Sequence, residues 1–350
     1  MNKTIREGKA IITVHDEKKI SKDLEVFYNP VMKTNRDLSV AVLKAWNRNH
    51  LQVADLFAAS GVRTIRFLKE LPKRKIDLIA ANDYSAKAMK QLKQNLKQNK
   101  LQKDKRIKIT KKEATLFLLQ SNGFDYIDVD PFGTPVPFLD AAAKRLAREG
   151  ILAVTATDTS ALAGAFPDAC RRKYSAMPMH GPIMHEIGLR ILIAKCQTIA
   201  AQYDKALTPI FSYNKDHYMR AFLFCEKGKT KVTEVQNQIG MFTYDKQTAG
   251  PMWLGRLWDE NFVGKMKIKE TESEKLLKTI QGEMIIPQVG FFDIHAICKR
   301  EKLQIPKYEI LFGAIQKAGH KVARTHFSLN GIRTTMEEKE LIETIQKIWS

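Results

Sequence analysis

Short apolar segments alternate with amphipathic ones from residue 51 to residue 204, and this alternation constrains the fold more than any other feature of the sequence. Apolar runs of this length are typical of buried strands, whereas the segments between them carry apolar residues at helical spacing. Strand–helix alternation requires right-handed crossover connections, which produce a parallel sheet covered by helices on both faces. The sequence therefore predicts an α/β fold built on a doubly wound sheet.

The strand–helix pairs end in two strand-like segments, at 208–215 and 218–227, joined by a short connection. The predicted strands before them lie at 52–57, 77–83, 106–114, 124–130 and 151–159. Two closely spaced strands predict an antiparallel addition at one edge of the sheet. The whole pattern resembles a class I methyltransferase, in which a doubly wound, mostly parallel sheet has seven strands. A generic Rossmann domain would share most of it, so the architecture does not fix the chemistry.

The composition of the chain changes after residue 227. Residues 227–236 are polar and typical of a linker, and residues 250–264 are rich in Gly and Trp. We therefore predict a first domain of residues 1–230, which includes an N-terminal extension, and a smaller α+β domain of residues 231–350.

The charge of the chain favours a polyanionic partner, because 58 Lys and Arg residues face 38 Asp and Glu residues and give a net charge of +20. No apolar run approaches the roughly 18–20 residues that span a bilayer, and the first residues lack the apolar core of a signal peptide. The four cysteines form no C-x-x-C pair. We therefore expect reduced thiols, no metal site and no membrane segment, in a cytoplasmic protein. The sequence leaves the oligomeric state open, with a monomer as the expectation.

The segment 55–63, DLFAASGVR, follows the first strand of the predicted sheet. In a doubly wound sheet such a loop lies at the carboxyl end of a strand, where ligands bind. Asp55, Phe57 and Gly61 are the candidate ligand-binding residues of this loop. The alternative is a tight turn without a ligand. The segment lacks G-x-G-x-x-G, so the dinucleotide cradle of a nicotinamide-dependent oxidoreductase is disfavoured.

Acidic residues also end the next two strands. Asp83 can accept hydrogen bonds from both hydroxyls of a ribose. Glu113 and the backbone N–H of Ala114 are placed to recognise the amino group and a ring nitrogen of adenine. Each acid alone is more often a helix N-cap, but acids at the ends of three successive strands indicate an adenosine-bearing cofactor such as S-adenosylmethionine.

The segment Asp130-Pro131-Phe132-Gly133 ends the fourth strand. It resembles the Asp/Asn-Pro-Pro-Tyr/Phe signature of methyltransferases that act on the exocyclic amines of bases. Such an amine is a weak nucleophile, and the Asp130 carboxylate and the Pro131 carbonyl can accept its two hydrogens. Phe132 can stack on a base that has left its helix. The alternative is a proline turn with a core phenylalanine.

Residues 26–39, VFYNPVMKTNRDLS, form a further candidate segment. The Arg36 guanidinium can bind the carboxylate of the cofactor with two hydrogen bonds. Phe27 or Tyr28 can supply a second stacking face for the flipped base. The alternative reading is a helix cap and a core aromatic residue.

The ordered segments FYNPVMKTNRDLS, DLFAASGVRTIRFLKE and DVDPFGTP, followed by GPMWLGRLW and ARTHFSLNGIRT, resemble the tRNA guanine-N2 dimethyltransferase family. The resemblance implies transfer of one or two methyl groups from S-adenosylmethionine to a guanine between the D and anticodon stems (position 26), and the compact chain is more typical of archaeal members. It also implies residues that contact the cofactor, namely Arg36, Arg66, Asp83, Glu113 and Ala114. By the same resemblance Asp130, Phe132 and Phe27 bind the guanine. Some members carry paired cysteines before the Gly-Pro segment, which this chain lacks.

A basic segment near the C-terminus, residues 320–335, predicts contact with tRNA through Lys321, Arg324 and Arg333. The alternative is a basic surface loop. Two other functions stay open from the residues: methylation of another base amine in DNA or rRNA, and a non-catalytic RNA-binding protein on the same scaffold.

Overall fold

The computed structural model describes residues 2–15, 28–269 and 272–349. A hairpin of β1 (Asn2–Glu7) and β2 (Ala10–His15) comes first. A sheet of seven strands follows in the described part of the chain, as the sequence predicts. Its strands are β3 (Leu51–Asp55), β4 (Ile76–Asn82), β5 (Ile107–Thr110), β6 (Phe124–Val129), β7 (Leu146–Ala156), β8 (Lys205–Lys215) and β9 (Tyr218–Lys227).

The strand order is β5-β4-β3-β6-β7-β9-β8, and β9 runs antiparallel to both of its neighbours. From β3 the chain winds outward to β5, then returns to β6 and winds the other way. The carboxyl ends of β3 and β6 therefore flank the topological switch point, where doubly wound sheets leave a crevice for ligands. Asp55 of β3 pairs in register with Asp128 of β6 at this point.

Helices cover both faces of the large sheet. They are α1 (Lys33–Ala45), α2 (Val62–Glu70), α3 (Ala86–Gln98), α4 (Ala114–Leu119), α5 (Val136–Arg145), α6 (Thr159–Leu162), α7 (Pro167–Tyr174) and α8 (Met184–Ala201). The prediction of a linker at residues 227–236 is wrong in part, because a helix, α9 (Lys229–Gln236), forms there. Val235 is buried in the main core, which explains why this polar segment is ordered as a helix.

The rest of the chain combines helices with small antiparallel sheets, the α+β composition that the sequence predicts. Its elements are β10 (Ile239–Tyr244), β11 (Gln247–Trp253), α10 (Glu260–Lys265), α11 (Glu272–Glu283), β12 (Phe292–Asp293), α12 (Ile294–Glu301), α13 (Tyr308–Lys317), β13 (Val322–Arg324), β14 (Gly331–Thr334) and α14 (Glu338–Trp349). The basic segment forms the β13–β14 hairpin, in a sheet ordered β12-β14-β13.

One hydrophobic core contains residues from both sides of the predicted domain boundary near residue 230. Val235, Trp253 and Ile280 belong to the same buried cluster as the large sheet. A separate cluster packs α12, α13 and α14 together, and Ile294 and Ile345 are among its members. The division of the chain at residue 230 stays a prediction.

A buried group of ion pairs joins the C-terminal hairpin, β13 and β14, to the helices α8 and α11. Arg333 of β14 is fully buried, and its Nη2 lies 2.7 Å from Oε2 of Glu186 on α8. Its Nε lies 3.1 Å from Oε2 of Glu283 on α11. The prediction that Arg333 contacts RNA is therefore wrong for this structure, because its guanidinium neutralises two carboxylates inside the protein and does not reach the surface.

This cluster predicts a pH dependence of stability. Burial raises the pKa of Glu186, but Arg333 and Arg190 outweigh burial and lower it to about 2 from its ordinary 4.5. A folded-state pKa below the unfolded value stabilises the fold above pH ~5, and this contribution is lost as the pH falls towards ~2. We expect a loss of about 3 kcal/mol from this group. Urea unfolding across this range should show it, and E186Q should flatten the curve; an equally steep curve in E186Q would contradict the assignment.

The described residues contain no helix that is both long and apolar enough to cross a membrane. They also contain no group of three or more His, Cys, Asp or Glu side chains placed to hold a metal ion.

Candidate active site

A cavity of about 560 Å³ opens at the carboxyl ends of β3, β4, β5 and β6. This volume lies in the range of pockets for small molecules, roughly 300–1,000 Å³. Of the predicted cofactor and base residues, those that line the cavity are Arg36, Phe57, Asp83, Glu113, Ala114, Asp130, Pro131 and Phe132. The predicted residues Asp55, Gly61 and Arg66 are not among its lining residues, and Phe27 lies outside the described residues.

The loop after β3 has two residues with positive φ. Ala59 has φ 44°, although it is not glycine, and its N–H donates to Oδ2 of Asp83 at 2.9 Å. Gly61 has φ 79° and is the N-cap residue of α2, and a Cβ there would lie 3.0 Å from the Leu92 side chain. A side chain at Gly61 would therefore be strained at this φ and would press on Leu92 of α3. Asp55 is buried behind this loop and accepts a hydrogen bond from the Thr64 hydroxyl at 2.7 Å. Burial raises the pKa of Asp55 to about 6.

The two acids after β4 and β5 accept hydrogen bonds from nearby backbone N–H groups and also line the cavity. Asp83 accepts the N–H groups of Ala59 and Ser85, and burial raises its pKa. Glu113 accepts the N–H groups of Thr115 and Leu116 and so caps α4. Burial raises the pKa of Glu113, but these N–H groups outweigh burial and lower it. A carboxylate oxygen has two lone pairs, so the cap leaves acceptor capacity for a ligand.

The Asp130–Gly133 turn projects its side chains into the same cavity. Gly133 has φ 77°, and it exchanges hydrogen bonds with Thr157, donating to Oγ1 at 2.7 Å and accepting from the N–H at 3.0 Å. A residue with a Cβ would be strained at this φ. Phe132 is 55% exposed, and the Asp130 side chain is 18% exposed. The turn thus presents an aromatic face beside an accessible carboxylate.

A buried cluster of charges that the sequence analysis missed lies behind Asp130. Arg63 donates from Nη2 to Oδ2 of Asp130, and its Nη1 lies 3.2 Å from Oδ2 of Asp128. Arg220 of β9 binds both oxygens of Asp128, with 3.1 Å between Nη1 and Oδ1 and 2.7 Å between Nη2 and Oδ2. Burial raises the pKa of Asp128, but Arg220 and Arg63 outweigh burial and keep it low. The sequence signal that could have revealed this cluster is Asp128 inside an apolar strand, because a buried carboxylate requires a cationic partner.

Glu7 is a second residue that the sequence analysis missed. It reaches from β1 to Arg36, with 2.7 Å between Oε1 and Nε and 2.6 Å between Oε2 and Nη2. Oε1 also accepts from Arg66 Nη1 at 2.9 Å. Burial raises the pKa of Glu7, but Arg36 and Arg66 outweigh burial and lower it to about 2. Arg66 is further bound by Asp37 and Glu70, so it stands behind Arg36 and not in the cavity wall.

The predicted RNA-binding residues separate in the structure. Lys321 is exposed at the start of the C-terminal hairpin. The Arg324 guanidinium lies 3.7 Å from the ring centroid of Tyr308 and donates to the carbonyl of Leu329. Leu329, at the tip of the hairpin, is 90% exposed. Lys321 and the tip of the hairpin are thus exposed, whereas Arg333 is buried.

Comparisons with known proteins agree with this geometry. The chain matches the model of the N2,N2-dimethylguanosine tRNA methyltransferase family over residues 8–246 and 242–346. The tRNA (guanine(26)-N(2))-dimethyltransferase of Pyrococcus horikoshii is 39% identical over 98% of this chain and 98% of its own. The tRNA (guanine(26)-N(2)/guanine(27)-N(2))-dimethyltransferase of Aquifex aeolicus is 37% identical over 98% of this chain and 96% of its own.

A solved structure of Trm1 from Pyrococcus horikoshii, in complex with S-adenosyl-L-methionine, is similar to this chain over its whole length. The TM-score is 0.87 at 35% sequence identity, and the match covers 98% of this chain and 99% of that chain.

Proposed function

This chain belongs to the N2,N2-dimethylguanosine tRNA methyltransferase family, and on that premise we propose that it methylates N2 of guanine 26 in tRNA with S-adenosylmethionine as donor. The observation that carries the proposal is a single cavity that combines two kinds of wall. One wall holds Asp83 and Glu113, which suit an adenosine. The other holds Asp130 and Phe132, which suit a flipped base.

The residues present fit S-adenosylmethionine by their chemistry. Arg36 provides a cation for the carboxylate of the cofactor through Nη1 alone, because Glu7 and Asn29 already bind its Nε and Nη2, so the two-bond geometry expected from the sequence is not available. Asp83 and Glu113 provide acceptors for the ribose hydroxyls and the adenine amine, and Ala114 is placed to offer its N–H to a ring nitrogen. The bound cofactor supplies a methyl group on a positively charged sulfur. We propose that Asp55 and Gly61 support this site through the loop backbone, and that Phe57 lines it.

The guanine amine is bound and oriented by the Asp130–Phe132 turn. Oδ1 of Asp130 and the carbonyl of Pro131 have no hydrogen bond to another described residue, and both are suited to accept the two amino hydrogens. Two such bonds raise electron density on the nitrogen and aim its lone pair. The half-exposed ring of Phe132 is suited to stack on the base. Asp130 need not be a strong base, because an alkylated amine is acidic and releases its proton to water.

The tRNA is proposed to contact both parts of the chain. The net charge of +20 supports phosphate contacts, since each neutralised phosphate releases a counterion. Lys321 and Arg324 are the proposed contacts of residues 231–350. Eight relatives that cover 97–99% of this chain are named as tRNA guanine-N2 dimethyltransferases, so methylation of another base and a non-catalytic role are not favoured.

The test is incubation of the purified protein with labelled S-adenosylmethionine and unmodified tRNA, followed by mass spectrometry of nucleosides and mapping of the label. We expect N2-methylguanine and N2,N2-dimethylguanine at position 26. Label on an adenine or cytosine, or no label with a protein that binds the donor, would contradict the proposal.

A variant of Glu7 tests the cofactor site from the N-terminal hairpin. We expect E7Q to raise the KM for S-adenosylmethionine roughly tenfold with a smaller change in kcat, because a neutral amide holds the Arg36 guanidinium less firmly. Saturation curves for the donor at fixed tRNA give both constants. E149Q, at an exposed glutamate outside the cavity, is the matched control. An unchanged KM in E7Q would show that Glu7 serves the fold alone.

A further inference from the structure

Arg63 lies at the boundary between the cavity and the buried charge cluster. It lines the cavity, but its side chain is only 8% exposed. Nη2 donates to Asp130 Oδ2, while Nη1 donates to Asn35 Oδ1 at 3.1 Å and to Ser39 Oγ at 3.0 Å. Partners on α1 and after β6 therefore fix this guanidinium, which itself comes from α2.

We propose that Arg63 is a positioning residue for methyl transfer, which binds Oδ2 of Asp130 and so leaves Oδ1 oriented for the amino group of the guanine. The proposal rests on the proposed function. A carboxylate turns readily about its terminal bond, because sp³–sp² torsions have broad minima. A charge-assisted hydrogen bond to one oxygen fixes the plane of the group. Alignment of this kind accounts for a large part of catalysis when no strong base is required.

The contacts of the neighbouring groups indicate that Arg63 serves the site more than the fold. Asp128 keeps two hydrogen bonds from Arg220, at 3.1 and 2.7 Å, and a third from the Tyr126 hydroxyl at 2.8 Å. It therefore stays neutralised when Arg63 is changed. Asp130, in contrast, has no hydrogen bond to a described residue other than Arg63.

Two further partners of Arg63, Asn35 and Ser39, also make hydrogen bonds that do not involve Arg63. The Asn35 amide donates to Thr155 at 3.2 Å, and the Ser39 hydroxyl donates to the Asn35 carbonyl at 2.8 Å. Loss of the Arg63 guanidinium thus releases the Asp130 carboxylate, while the surrounding polar groups keep other hydrogen bonds.

The test measures kcat, the KM for tRNA, the dissociation constant for S-adenosylmethionine and thermal unfolding in R63Q and R63K. We expect R63Q to lower kcat roughly 10²-fold, as for a misplaced catalytic group, with a donor dissociation constant within about threefold of wild type. R63K should restore part of kcat, because an ammonium binds one oxygen but does not fix a plane. R48Q is the matched control, since Arg48 pairs with Asp125 away from the cavity.

The second readout is a double-variant cycle with D130N. A purely structural role of Arg63 would not make the effect of R63Q on kcat depend on Asp130. If Arg63 acts through Asp130, R63Q lowers kcat less than about threefold further in the D130N background. A second full loss there, or a wild-type kcat in R63Q, would overturn the proposal. If R63Q does not fold, the same comparison of kcat is made with R63K, alone and in the D130N background. An inactive wild type would instead contradict the proposed function.

Discussion

Replacement of Asp130 by alanine is expected to lower kcat by at least roughly 10²- to 10³-fold, the range seen when one preorganised hydrogen-bonding group is removed. The methyl side chain cannot accept an amino hydrogen of the guanine, so the amine loses both orientation and electron density. Binding of S-adenosylmethionine should change less than about threefold, because Arg36, Asp83 and Glu113 do not depend on Asp130. Single-turnover transfer of label to tRNA and calorimetry of donor binding give the two values.

The control for D130A is D77A, at a half-exposed aspartate whose partner is His50. D77A should transfer methyl at the wild-type rate. The folded state of D130A should persist, because Arg63 keeps Asp128, Asn35 and Ser39 as partners. Near-normal turnover in D130A would remove the proposed mechanism, and weakened donor binding would place Asp130 in the cofactor site.

Replacement of Arg333 by methionine is expected to lower the free energy of unfolding by about 3 kcal/mol, since it leaves two buried carboxylates with fewer cationic partners. Glu186 retains Arg190, with 2.9 Å between Nη2 and Oε1. Glu283 retains hydrogen bonds from His326, at 2.5 Å between Nδ1 and Oε1, and from the Thr325 hydroxyl at 2.7 Å. These remaining pairs are the reason that we do not expect a larger loss. Urea unfolding with linear extrapolation measures the change.

R324M is the matched control, because the same arginine-to-methionine change is made on the surface of the same hairpin. It should change the unfolding free energy by less than about 1 kcal/mol, the contribution of an exposed cation–π contact, and it should weaken tRNA binding and its salt dependence. A stable R333M protein with weakened tRNA binding would instead support the role in RNA contact that the sequence predicts for Arg333.

The sheet and the walls of the cavity could be read from the sequence because both depend on local patterns. Alternation of apolar segments predicts the strands, and strands in a doubly wound sheet end at one edge. Asp83, Glu113 and Asp130 each follow a strand, so their place at the cavity could be predicted without tertiary contacts. The same reasoning placed Asp55 at the edge, although it faces the interior, because the sequence does not say which way the last residue of a strand points.

The helix α9 and the C-terminal hairpin show the opposite case. The polar composition of residues 227–236 predicts a linker, but burial of Val235 against the large sheet orders the segment. A basic residue in a hairpin is expected at the surface, and Arg333 is buried because acids from two other helices surround it.

By itself, the order of residues determined the strand–helix alternation, the acids that follow three strands and the Asp-Pro-Phe-Gly turn, and with them a fold and a class of ligand. Only the tertiary structure decided which charges meet. Arg220 and Asp128 are 92 residues apart in the chain, and Arg333 and Glu186 are 147 apart. The physical reason is that periodicity reports which face of an element is buried, whereas the partner of a buried charge depends on how distant elements pack.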